Sequence, residues 1–314
     1  MRAPAELLEE ARGGSRAALA RLLSYVEGGG EALRATAALA YRTPVPYVVG
    51  LTGPPGAGKS TLTDQYIAAV LAARPEGEGR LGVLCVDPTS PFTGGAILGD
   101  RIRMQAHATD DRVFIRSMAT RGHLGGLSLA VPDAVRVLGA TGSARVLVET
   151  VGVGQMEVDI ASAADTTVVV TNPGWGDAMQ ANKAGLLEVA DVFVINKADR
   201  AGVRETRRDL EQMLDLGGAR DWRPPIVETV ATSGEGIAGL LEALDAHRAH
   251  LDGAGLVDRR RAHVRAQLEA VVAAALRERA AARAAGAALE AAVELLLESR
   301  GDPYGAAETL LSDP

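Results

Sequence analysis

The chain has 314 residues, with 33 Lys plus Arg against 40 Asp plus Glu, a net charge of −7 and a sequence pI near 5.4. That balance excludes a nucleic-acid binder working through bulk positive charge, and no apolar run reaches the ~18 residues of a membrane span. Hydrophobic residues make up 47% of the chain but aromatics only 3%, so Ala, Val and Leu must fill the core.

The N-terminus, "MRAPAELLEEARGG", is acidic and amphipathic. It does not read as a secretory leader, and a soluble, cytoplasmic protein is expected. Residues 1–45 read as a helical extension. "PAELLEEARGGSRAALARLLSYV" is one helical stretch, "GEALRATAALAYR" a second, with "EGGG" between them and "TPVP" ending the segment. Residues 46–250 alternate apolar strands with helices. The strands are "YVVGLT", "LGVLCVD", "VFIRS", "RVLVET", "TTVVVT", "DVFVIN" and "PIVETV". They are continuously apolar rather than alternating, the pattern of strands covered on both faces. The expected fold class is therefore α/β, a doubly wound and mostly parallel sheet. Residues 251–314, rich in Ala and Arg, read as a C-terminal helical arm, either a dimerisation arm packed on a second subunit or a solvated helical extension. The single Cys85 lies within a strand and reads as a buried thiol in a reducing compartment.

Thirty of the 33 basic residues are Arg, leaving only Lys59, Lys183 and Lys197. Lys59 stands next to last in "GPPGAGKS", which follows the strand "YVVGLT" and opens the helix "STLTDQYIAAVLAA". This is the strand–loop–helix setting of a phosphate-binding G-x-x-x-x-G-K-[ST] loop. Gly53, Gly56, Ala57 and Gly58 let backbone N–H groups curl around phosphate oxygens at a helix N-terminus, continued by Thr61. Lys59 reaches the β- and γ-phosphates as a point charge, and Ser60 supplies a hydroxyl for Mg²⁺.

The acids such a metal needs stand at strand ends. Asp87 ends "LGVLCVD", and a Gly-rich loop runs from it to Asp100. Glu149 ends "RVLVET", and Gly152 follows with an N–H for a γ-phosphate. Gln155 lies further along that loop and joins Lys59, Glu149 and Gly152 among the candidate catalytic residues. Lys197 sits in Asn196-Lys197-Ala198-Asp199, after the strand "DVFVI". At that edge an open α/β sheet binds ligands. The Asp199 carboxylate there accepts from guanine N1–H and the exocyclic amino group, donors that adenine does not present in that arrangement. "VATSGEGI" brings Thr232 and Ser233 as a third loop for the base.

Five stretches, "GPPGAGKST", "VDPTSPFTGGAILGDRIRM", "ETVGVGQMEVDI", "NPGWGDAMQANKAGLLEVADVFVINKAD" and "DPYGAAETLL", together resemble the MeaB/ArgK family of P-loop GTPases. The resemblance runs from about residue 45 to the end. It implies a SIMIBI-type G domain, a homodimer and a slow GTPase using GTP/GDP and Mg²⁺. Its nucleotide state would gate cofactor loading into an adenosylcobalamin-dependent acyl-CoA mutase and protect that enzyme, with no nucleic-acid or membrane partner. It also implies that Asp177, Gln180 and Lys183 form a switch segment facing the mutase. From the residues alone, Asp177 is a helix N-cap, with Gln180 and Lys183 on one helix face.

Two other functions use the same loop. A nickel-inserting GTPase would bring a Cys/His cluster, whereas the chain has one Cys and five His. A kinase would bring an acceptor-binding region, and no motif for one is visible.

Overall fold

The computed structural model describes residues 2–73, 79–87, 107, 109–119, 129–150, 160–174, 188–216 and 221–312. All seven expected strands are present: β1 (Tyr47–Thr52), β2 (Arg80–Asp87), β3 (Val113–Ala119), β4 (Ser143–Thr150), β5 (Thr166–Thr171), β6 (Val192–Asn196) and β7 (Ile226–Thr229). They form one sheet in the order β3-β2-β4-β1-β5-β6-β7, with every pairing parallel. Among the described residues there are ten α-helices: α1 (Pro4–Arg12), α2 (Arg16–Gly28), α3 (Gly30–Ala40), α4 (Lys59–Ala73), α5 (Ala130–Ala140), α6 (Val203–Leu216), α7 (Ile237–Leu251), α8 (Ala254–Arg283), α9 (Ala287–Leu297) and α10 (Pro303–Leu311).

The core explains why the strands read as continuous apolar runs. Neighbouring residues of one strand enter different clusters. Val48 packs with α1, α2, α3 and α5 on one face, whereas Tyr47, Val49 and Leu51 pack with α4 and α7 on the other. β4 divides the same way, Val146 and Val148 against Leu147. A third cluster places Leu210 and Leu214 of α6 on Val169, Phe193 and Ile195.

The N-terminal segment differs from the two-stretch expectation. It forms three helices, because Gly13–Gly14–Ser15 interrupts the first stretch. Gly14 has φ +100°, in the left-handed region that glycine adopts at little cost. Ser15 then caps α2 by accepting from the Ala18 N–H at 3.2 Å. Leu7, Leu19, Leu22 and Leu23 are all buried, in one cluster with the strand residues Val48, Val146 and Val148.

A polar lattice ties the amino ends of the strands together. Asp165 and Asp191 immediately precede β5 and β6, and both are buried. Asp165 accepts from the Val48 N–H at 2.9 Å and from Arg260 Nε and Nη2 at 2.9 and 2.8 Å. Asp191 accepts from the Thr167 N–H at 2.7 Å and from Arg259 Nη1 and Nη2 at 3.0 and 2.7 Å. His247 lies between, 1% exposed, with Nε2 3.3 Å from Asp191 and Nδ1 2.7 Å from the Thr166 hydroxyl. The Thr166 hydroxyl also contacts the Tyr47 hydroxyl, and a tautomer with its proton on Nε2, on the Asp191 side, would leave Nδ1 to accept from Thr166.

The chain divides into two compact units, Met1–His263 and Val264–Pro314, with the division falling inside α8. In the second, α9 and α10 bury no residue, and Leu268, Leu276, Leu297 and Tyr304 are exposed.

Candidate nucleotide site

The phosphate loop leaves the centre of the sheet. β1, between β4 and β5, ends at Thr52, and α4 begins at Lys59. Gly53 has φ +141°, and a Cβ there would stand 2.0 Å from the Val170 carbonyl oxygen. The loop can start against β5 only with glycine. Lys59 is 7% exposed, and its ammonium folds back onto its own loop and donates to the carbonyls of Gly53 at 2.6 Å and Pro54 at 3.0 Å. Ser60 also lies buried in the first turn of α4, beside the loop.

Glu149 reaches that same turn from β4. Its register opposite Leu51 of β1 and Cys85 of β2 puts it near the carboxyl end of the sheet. There it is 2% exposed and accepts from the Ser60 hydroxyl at 2.8 Å. Two oxygens of the kind Mg²⁺ prefers as ligands are thus adjacent at the mouth of the loop. Of Asp87 only the backbone position, at the end of β2, is described. Asp100, Gly152, Gln155, Asp177, Gln180 and Lys183 lie outside the described residues. Among the described residues, no group of three or more His, Cys, Asp or Glu side chains is placed to hold a metal ion.

Asn196-Lys197-Ala198-Asp199 follows β6, on the same edge of the sheet. The Asn196 side chain, 2% exposed, spans the two loops. Its Nδ2 donates to the Ala57 carbonyl at 2.8 Å, and its Oδ1 accepts from the Ala231 N–H at 3.1 Å and the Thr229 hydroxyl at 3.2 Å. A Cβ at position 58 would lie 2.3 Å from Asn196 Nδ2, so Gly58 is required for this approach. Lys197 has φ +61°, a left-handed conformation uncommon outside glycine, and its ammonium donates to the Gly56 carbonyl at 2.7 Å. Asp199 is exposed. Thr232 and Ser233 are exposed in the turn after β7, where the Ser233 N–H donates to the Val230 carbonyl at 3.0 Å. The sequence motifs pointed to Asn196 as a base-loop residue. Its bridging role was not visible there, since only the fold brings positions 57, 196 and 231 together.

The comparisons with known proteins point the same way. The sequence model of the family described as methylmalonyl Co-A mutase-associated GTPase MeaB matches residues 19–285. A protein of Pyrococcus abyssi that carries a GTPase designation is 48% identical over 98% of this chain and 96% of its own. The mouse mitochondrial methylmalonic aciduria type A homolog is 38% identical over 64% of this chain and 49% of its own. A crystal structure titled LAO/AO transport system kinase, 24% identical, superposes with a TM-score of 0.70 over 98% of this chain and 96% of its own, a likeness of fold. With a phosphate loop, an Asn-Lys-x-Asp base loop and this span of sequence agreement, the chain belongs to the MeaB family of P-loop GTPases.

Proposed function

We propose that this protein is a GTP-switched chaperone that gates adenosylcobalamin loading into a B12-dependent acyl-CoA mutase, methylmalonyl-CoA mutase first among them, and protects that enzyme from inactivation. The observation that carries this reading is the match to a mutase-associated GTPase family across residues 19–285, on a chain whose phosphate and base loops are joined through Asn196. In this reading the loop amides and Lys59 hold the phosphates, and Asp199 selects guanine. Ser60 and Glu149, with Asp87 and Asp100, hold Mg²⁺, which when bound neutralises charge between the β- and γ-phosphates. Gly152 contacts the γ-phosphate and Gln155 belongs to the hydrolytic loop. Intrinsic turnover is slow, and the protein works in the cytoplasm. The exposed Leu and Val of α8 and α9 support a homodimer built on residues 251–314.

Asp177, Gln180 and Lys183 form the segment that reports nucleotide state to the mutase. The test measures GTP hydrolysis with and without a cobalamin-dependent acyl-CoA mutase from the same source, for the native chain and for Lys183→Ala. The mutase is expected to change the native rate and to change the variant rate much less. Equal factors would remove Lys183 from the interface, and no effect on either rate would mean a different partner. Labelled GTP yielding only GDP and free phosphate separates hydrolysis from a kinase reaction.

A further inference from the structure

Helix α6 gathers three arginines in its first two turns. Arg204, Arg207 and Arg208 lie there with Glu205 and Asp209 among them, and Glu211 and Asp215 lie towards its end. Three arginines therefore stand towards the positive end of the helix dipole, where Glu205 in the first turn partly offsets them. Arg204 and Arg208 are also a like-charge pair one turn apart. Arg207 is neutralised locally, its Nε 2.6 Å from Glu228 and its Nη1 3.6 Å from Glu211. The side chains of Arg200, Arg204 and Arg208 are exposed and form no ion pair or hydrogen bond among the described residues. All three line one open cleft of about 630 Å³, whose carboxylates are Glu228, already held by Arg207, and Glu205.

In a chain of net charge −7, three guanidinium groups that make no ion pair among the described residues, on a cleft whose one carboxylate not held by Arg207 is Glu205, are a local reversal of sign. A planar fork grips one carboxylate through two parallel N–H bonds, and forks one helical turn apart match successive carboxylates along a peptide rather than one compact ion. The cleft also includes Ala198, so Asp199 lies in sequence between two residues of its wall.

We infer that this cleft docks an acidic segment of a partner protein, and that docking there loosens guanine nucleotide by drawing Arg200, and with it Asp199, outward. The docking half stands on the cleft alone, whereas the effect on nucleotide rests on the GTP-binding reading above.

The test uses the full chain and a fluorescein-labelled peptide of ten glutamates, read by fluorescence anisotropy at low and moderate salt. The native protein is expected to bind this peptide, more weakly as salt rises, and not a decalysine control. Arg204→Glu with Arg208→Glu is expected to weaken glutamate-peptide binding at least tenfold while leaving fluorescent-GDP affinity within twofold. The glutamate peptide should speed fluorescent-GDP release at least threefold for the native chain and leave release from the double variant unchanged. If the double variant melts early, Arg204→Gln with Arg208→Gln carries the same comparison. Equal peptide binding by native and variant overturns the inference, as does tighter arginine-dependent binding of anionic vesicles or an RNA oligonucleotide. Peptide binding without any effect on GDP release overturns the coupling. A chain that binds no GDP refutes the GTP reading instead, and leaves the docking result to be judged by the peptide alone.

Discussion

Asn196 and Ala57 are 139 residues apart in sequence and joined by one 2.8 Å hydrogen bond from a buried amide to a loop carbonyl. The base loop and the phosphate loop are therefore held at a fixed separation by a side chain that need not itself touch the base. Asn196→Ala removes one donor and one acceptor at once. It strips partners from the Ala57 carbonyl and the Ala231 N–H, and a buried polar group without its partner costs about 1–3 kcal/mol. The expected outcome is a lower urea midpoint together with weaker GDP and GTP binding. A variant with native stability and native GDP affinity would show that the bridge is dispensable.

Asp199 is exposed, so its replacement is expected to leave the melting temperature unchanged. Asp199→Asn should shift preference from guanine towards xanthine nucleotides, whose base carries an acceptor in place of the amino group. Competition between GTP and XTP for a fluorescent nucleotide measures this, and an unaltered preference for GTP removes Asp199 from the base site.

Lys59 is buried, with its ammonium within 3.0 Å of two loop carbonyls. Lys59→Ala is expected to lower GTP turnover by on the order of 10²-fold or more, as loss of a charge-stabilising donor does. Lys59→Arg should also be impaired, because a planar fork does not fit where a slender ammonium lies. Full activity in the Arg variant would mean that the rarity of lysine in this chain carries no information at position 59.

Glu149→Ala leaves the Ser60 hydroxyl without its carboxylate. In the proposed site this should lower GTP hydrolysis more than GDP affinity, and removal of Mg²⁺ by EDTA should do the same to the native chain. A hydrolysis rate indifferent to EDTA contradicts the metal assignment.

His247 gives a pH dependence of opposite origin to that of an exposed histidine. Burial lowers its pKa from 6.5 to about 4, outweighing the attraction of Asp191, while Arg259 and His250 add to the lowering. The unfolded chain therefore binds a proton that the folded chain refuses between pH 6.5 and about 4. Stability is full above that window and falls as pH drops through it, by on the order of 3 kcal/mol at most. Chemical denaturation at several pH values should show this slope, and His247→Gln should flatten it. An equal slope in both proteins would assign the acid sensitivity to carboxylates.

Much of this molecule was legible before its structure. Seven strands were recoverable because both faces of the sheet are covered, so each strand is an unbroken apolar run. The phosphate and base loops were recoverable because their chemistry fixes residue type and spacing locally. The break at Gly13–Ser15 was missed, since the apolar positions of α1 and α2 continue a helical period across it and only the left-handed Gly14 ends the first helix. The Asn196 bridge and the Arg259–Asp191 and Arg260–Asp165 pairs escaped for a different reason. Each joins residues 68 to 139 positions apart, and nothing in local spacing announces such a contact.

The position of β1 in the sheet bears on how the chain is made. β1 ends at Thr52, yet its two neighbours, β4 and β5, begin at Ser143 and Thr166. At a synthesis rate of roughly 5–20 residues per second, several seconds pass on the ribosome before "YVVGLT" has any strand beside it. In that interval the growing chain carries the apolar faces of α1–α3 and of α4, whose final places lie on opposite sides of a sheet that does not yet exist. The central strand is made first and paired late, and the nascent chain must stay soluble until Val146 and its neighbours emerge to meet Val48.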